Sequence, residues 1–126
     1  MTEPKSTRLA AYSELADGRP HAARAAGMDL VVVRVGDEVH ALYGRCPHRG
    51  APMAEGCLAG GAITCKAHGW DFVVATGESP GVEGERLARF EVQVDREADE
   101  VRVDEAAIVA WQRANPQVFE EAELLG

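Results

Sequence analysis

Two short runs of the chain carry side chains that bind metals. Cys46-Pro47-His48 and Cys65-Lys66-Ala67-His68 each offer one thiolate and one imidazole from a tight turn, and sixteen residues, Arg49 to Thr64, separate them. Two of the four histidines and two of the three cysteines fall here, so composition does not account for the clustering. Cysteine and histidine placed this way are metal ligands first. Two centres fit. A structural zinc site would gather all four on one ion, but such sites usually pair cysteine with cysteine and histidine with histidine. Here each turn is mixed, which suits a binuclear iron–sulfur centre with both thiolates on one iron and both imidazoles on the other. Gly50, Gly69 and Gly44 are expected to bring backbone close and aim N–H groups at sulfide, and to serve as turn glycines, roles that can hold together. Two ferric ions, two sulfides and two thiolates sum to a formal charge of about zero. Reduction then adds a negative charge, which donors close by stabilise.

The segments CPHRG (46–50), CKAHGW (65–70) and TGESPG (76–81) resemble the Rieske [2Fe–2S] domain, close to the low-potential ferredoxins and oxygenase domains of bacterial ring-hydroxylating systems. The resemblance runs from Thr7 to Val103. It implies an all-β fold of three stacked antiparallel sheets with a loop-rich cluster-binding subdomain. It also implies one [2Fe–2S] cluster per chain, held by Cys46, His48, Cys65 and His68, with the histidines bound through Nδ1 and their outer edges near solvent. Ser79-Pro80-Gly81 resembles the third, proline-containing loop that shields the cluster. Some relatives pin the ligand loops with a disulfide. Ala51 and Ala67 stand at those positions, so that bond is not expected. Serine and tyrosine hydroxyls raise the potential of high-potential members, and Trp70 and Phe72 stand in their places.

By the same resemblance the chain is a soluble one-electron carrier between a flavin-dependent NAD(P)H reductase and a terminal oxygenase. The alternative is a Rieske subunit or domain of a larger oxidoreductase, such as an oxygenase or a nitrite reductase small subunit. No catalytic residues are expected. A Rieske oxygenase needs a second, mononuclear iron, usually on two histidines and a carboxylate. Beyond the four ligands only His21 and His40 remain, both upstream.

The elements that must position these turns are strands. Met28–Val35 and Val39–Tyr43 are β-rich and flank Gly36-Asp37, which predicts a hairpin. From Gly44 to Gly84 the chain turns to glycine, proline and cysteine, with only AITC (62–65) and FVVA (72–75) as short apolar runs. Loops of this length order themselves when tied to something. Leu87–Val94, with Phe90, Val92 and Val94 alternating, predicts a strand that turns at Glu97–Glu100 to pair with Val101–Val103. Asp104 can cap a helix that places Ala107, Ile108 and Trp111 on one face. Asn115-Pro116 stops it and can open another, with Val118, Ala122 and Leu125 at helical spacing. The organisation expected is a domain over 1–103, with its cluster-binding insertion at about 44–84, and a helical extension over 104–126. Ile108, Trp111 and Phe119 are expected to pack on the domain's own sheet.

With 126 residues the length suits one compact domain. The net charge of −8 argues against nucleic acid and fits an electrostatic encounter with a basic protein. No apolar run approaches a membrane span and the first residues have no signal-peptide pattern, which predicts no membrane association. With two cysteines taken as ligands, Cys57 has no partner for a disulfide, and a reducing cytoplasm is expected. Cys57 is read as a small, partly buried filler. His40 lies between Val39 and Ala41 and is expected to point to solvent.

Overall fold

The computed structural model describes residues 6–16, 18–46, 50–66, 69–82 and 84–115. The chain forms ten strands and one α-helix among these residues. They are β1 (Ser6–Ala10), β2 (His21–Ala25), β3 (Met28–Val35), β4 (Glu38–Tyr43), β5 (Cys57–Ala59), β6 (Ala62–Thr64), β7 (Asp71–Val73), β8 (Arg89–Phe90), β9 (Val92–Asp95), β10 (Glu100–Asp104) and α1 (Glu105–Ala114). The strands make three antiparallel sheets, ordered β1-β10-β9, β2-β3-β4-β8 and β5-β6-β7. This is the expected all-β fold with a short C-terminal helix.

The β3–β4 hairpin forms where expected. Val35 pairs with Glu38 across Gly36-Asp37, and Gly36 takes a positive φ of 63°. Leu30, Val31, Val32 and Val33 are all at most 1% exposed, so both faces of β3 are covered. A strand buried on both sides reads as a continuous apolar run rather than an alternating one, and LVVV is such a run.

Leu87–Val94 is not a single strand. Phe90 pairs with Ala41 in the second sheet, whereas Val92 pairs with Val103 in the first. The chain changes sheets at Glu91. Phe90 turns inward, while Val94, on the edge strand β9, is 40% exposed. Alternation marks an apolar face but not the sheet to which that face belongs. The strands β1, β2 and β5 were not anticipated. β1 closes the first sheet by pairing Ser6 with Asp104, with a bulge between Arg8 and Ala10.

The Asp104 side chain accepts the Ala106 N–H at 3.0 Å and starts α1, and the helix ends at Ala114 before Asn115. Ile108 is fully buried. The Trp111 ring stacks obliquely on Tyr43 at 5.0 Å and meets the Phe90 ring edge-on at 5.8 Å. Gln112 donates to the Ala26 carbonyl at 3.3 Å. The helix therefore lies against the second sheet. Phe119 and the second helix expected after Pro116 lie outside the described residues.

Candidate metal centre

Two turns built alike hold the two cysteines. The Cys46 N–H donates to the Ala51 carbonyl at 2.8 Å, and the Gly50 N–H donates to the Cys46 carbonyl at 2.7 Å. In the second turn the Cys65 N–H donates to the Trp70 carbonyl and the Gly69 N–H to the Cys65 carbonyl, both at 2.8 Å. Each turn thus closes between residues i and i+5 and between i+4 and i. Both closing glycines have positive φ, 76° at Gly50 and 72° at Gly69, a region costly for other residues. Cys46 and Cys65 are 0% and 1% exposed and both belong to the buried core of the chain.

His48 and His68 lie outside the described residues, as do Pro47, Arg49 and Ala67. Among the described residues no group of three or more metal-binding side chains comes together. What is described fits an iron–sulfur group. It consists of two buried sulfurs on turns closed by the same hydrogen-bond pattern, each turn also supplying a histidine in its sequence.

The N–H groups of all three glycines have carbonyl partners within the protein. Those of Gly50 and Gly69 are spent on cysteine carbonyls, and that of Gly44 on the Asp29 carbonyl at 2.9 Å. Gly44 does permit a close approach, but to strand β3. A Cβ there would stand 2.8 Å from the Asp29 carbonyl carbon and the Leu30 nitrogen.

The third loop follows β7. The Ser79 N–H donates to the Glu85 carbonyl at 3.1 Å, and the Val82 N–H to the Ser79 carbonyl at 3.3 Å. Ser79 is buried and its hydroxyl has no hydrogen-bond partner among the described residues, while Pro80 and Gly81 are exposed. Phe72 is fully buried opposite Ile63, and Trp70 is half-buried against the core, as expected of packing residues.

Two expectations are overturned. Cys57 is exposed rather than partly buried, because on the edge strand β5 it is Leu58 that faces Ile63. The His40 side chain is only 10% exposed. Its Nδ1 lies 3.0 Å from Arg89 Nη2. A guanidinium can only donate, so Nδ1 accepts and the ring is the neutral Nε2–H tautomer. Burial, then the Arg89 charge, lower the His40 pKa, partly offset by Glu38. Arg89 also donates from Nε to the Val74 carbonyl at 2.9 Å, tying the segment after β7 to the second sheet.

The residue that sequence reasoning missed is Arg45. Its Nε and Nη2 reach Asp29 Oδ2 at 2.8 and 2.7 Å, and its Nη1 donates to the Gly50 carbonyl at 2.8 Å. A lone aspartate in the apolar run MDLVVVRV was the available signal, since a charge in such a strand calls for a partner.

The model of the Rieske [2Fe-2S] domain matches residues 5–91, and the chain belongs to that family. Among curated proteins it is 34% identical over 85 residues to apoptosis-inducing factor 3 of Homo sapiens, across 67% of this chain and 14% of that protein. The chain thus spans about one-seventh of that relative. It is 30% identical over 88 residues to the ferredoxin component of the alkene monooxygenase system of Xanthobacter autotrophicus, covering 69% of this chain and 72% of the relative. Among solved structures it resembles the Sphingomonas yanoikuyae B1 ferredoxin, with a TM-score of 0.72 and 27% identity over 79% of this chain and 98% of that one. No described helix is long and apolar enough to cross a membrane.

Proposed function

We propose that this chain is a one-electron carrier. Its [2Fe–2S] cluster, one per chain, is held by Cys46, His48, Cys65 and His68. The observation that carries this reading is the pair of equivalent turns with buried cysteine sulfurs, each followed by a histidine two or three residues on. When bound, the cluster takes up and releases single electrons. The protein supplies two thiolates in a buried setting and turns whose closing hydrogen bonds keep them fixed between oxidation states. Donor and acceptor are a flavin-dependent NAD(P)H reductase and a terminal oxygenase, and the compartment is the cytoplasm. The likeness to a ferredoxin component of a monooxygenase system supports this choice. Residues 1–103 form the cluster domain and 104–126 an extension whose helix covers its second sheet.

Metal and sulfide analysis with electron-spin resonance of the reduced protein tests the reading. Two irons, two acid-labile sulfides and a spectrum lost on His48→Ala or His68→Ala are expected. One zinc without labile sulfide refutes it.

A further inference from the structure

The first ligand turn is gripped from outside by a charge pair, whereas among the described residues the second is not. Arg45 immediately precedes Cys46. One guanidinium holds Asp29 through two nitrogens and the Gly50 carbonyl through the third, so it spans the mouth of the turn and anchors both ends to β3. Gly50 passes the restraint on through its N–H to the Cys46 carbonyl. The pair is partly sheltered, with side chains 30% and 28% exposed. The second turn is flanked by an exposed hydroxyl–carboxylate bond, Thr64 to Asp71 at 2.5 Å, and its own cation, Lys66, is exposed.

We propose that Arg45 is a positioning residue for the cluster-bearing turn, and that Arg45 and Asp29 bias the reduction equilibrium in opposite directions. The inference rests on the carrier reading above. Reduction of a cluster held through Cys46 would add one negative charge to it. A cation fixed beside that residue lowers the cost of the charge, and an anion fixed beside the cation raises it. A guanidinium can bridge two acceptors at fixed geometry, which an ammonium on a flexible stem cannot do. Arg24 provides an internal comparison. It also meets Asp29, at 3.5 Å, but its side chain is 67% exposed, and its hydrogen bond goes to the Gly27 carbonyl in the β2–β3 turn.

Protein-film voltammetry of the holoprotein decides it. Arg45→Met should lower the midpoint and Asp29→Asn should raise it. Each shift should be at most about tenfold in the reduction equilibrium, or about 59 mV for a one-electron couple. Arg24→Met should move it by less than a third of the Arg45→Met shift. Arg45→Lys should keep the midpoint close to wild type yet lose iron to a chelator several-fold faster. If Arg45→Met cannot hold a cluster, the midpoints of Asp29→Asn and Arg45→Lys still decide. Neutralisations that leave the midpoint unchanged, or shift it in the same direction, overturn the inference. So does an Arg24→Met shift as large as that of Arg45→Met. A wild-type protein without labile sulfide overturns the carrier reading and this inference together, whereas unresponsive midpoints in a cluster-containing protein overturn the inference alone.

Discussion

At Gly44 a single methyl group should strain the contact between the first ligand turn and β3. The Cβ of an alanine there would lie 2.8, 2.8 and 2.9 Å from the Asp29 carbon, the Leu30 nitrogen and the Asp29 oxygen. These are backbone atoms of β3, whose next residues are at most 1% exposed, so they have little room to yield. Relief requires moving residue 44 outward. That stretches the Gly44 N–H to Asp29 bond of 2.9 Å and the Met53 N–H to Gly44 bond of 2.8 Å. Overpacking of this kind costs about 1–3 kcal/mol, and each weakened hydrogen bond about 1 kcal/mol. The lower entropy of an unfolded alanine returns about 0.4–1 kcal/mol. Gly44→Ala should therefore destabilise by about 2–4 kcal/mol, or on the order of 10 °C in the melting temperature of a domain this size. Gly81→Ala is the control, since among the described residues nothing lies within 4 Å of its Cβ position and its φ is not in the left-handed region. It should stay within about 0.5 kcal/mol of wild type. Thermal unfolding followed by far-ultraviolet circular dichroism reads both. A Gly44→Ala protein that melts with the control would show that β3 and the first ligand turn are not packed backbone to backbone.

Three further outcomes are expected. Because the fold lowers the His40 pKa, the neutral ring's contribution is full above the ordinary value of about 6.5 and is lost as pH falls through and below it. The melting temperature should fall from pH 7 to pH 5, and His40→Gln should flatten that part of the profile; superimposable profiles would refute it. Cys57→Ser, at an exposed position, should keep iron, sulfide and midpoint, with stability within about 0.5 kcal/mol. With Phe72 lacking a donor and Trp70 in place of a serine hydroxyl, the wild-type midpoint should lie toward the negative end of the Rieske range of about −150 to +300 mV. A voltammetric midpoint well above zero would contradict this.

Some of the architecture was legible because local chemistry carried it. Gly36-Asp37 between two β-branched runs marks a two-residue hairpin, and Asp104 ahead of an apolar helical stripe marks a capped helix. The cysteine turns were legible because mixed cysteine–histidine pairs have few other uses. Other features depend on residues far apart in the chain. Phe90 and Val92 carry one alternating pattern yet belong to different sheets, chosen by Ala41 and Val103. His40 follows the outward phase of its strand, but Arg89, forty-nine positions later, covers it. Arg45 and Asp29 are sixteen apart; Asp29 in its apolar run calls for a partner, but the sequence does not single out Arg45 as that partner. The glycines beside the cysteines were recognised as turn residues, but the partners of their N–H groups depend on how each turn closes.

The pairing of Ser6 with Asp104 also constrains the order of assembly. β5, β6 and β7 lie within seventeen residues, Cys57 to Val73, and close through short hairpins. The first sheet cannot close until the chain has been made through β10, and its closure spans almost the whole domain. Long-range closures are entropically the slowest to complete. On a nascent chain emerging from its N-terminus, both cysteine turns are therefore available while β1 still waits for its partner. Metal delivery and chain completion can overlap in time, with β10 as the last strand to lock.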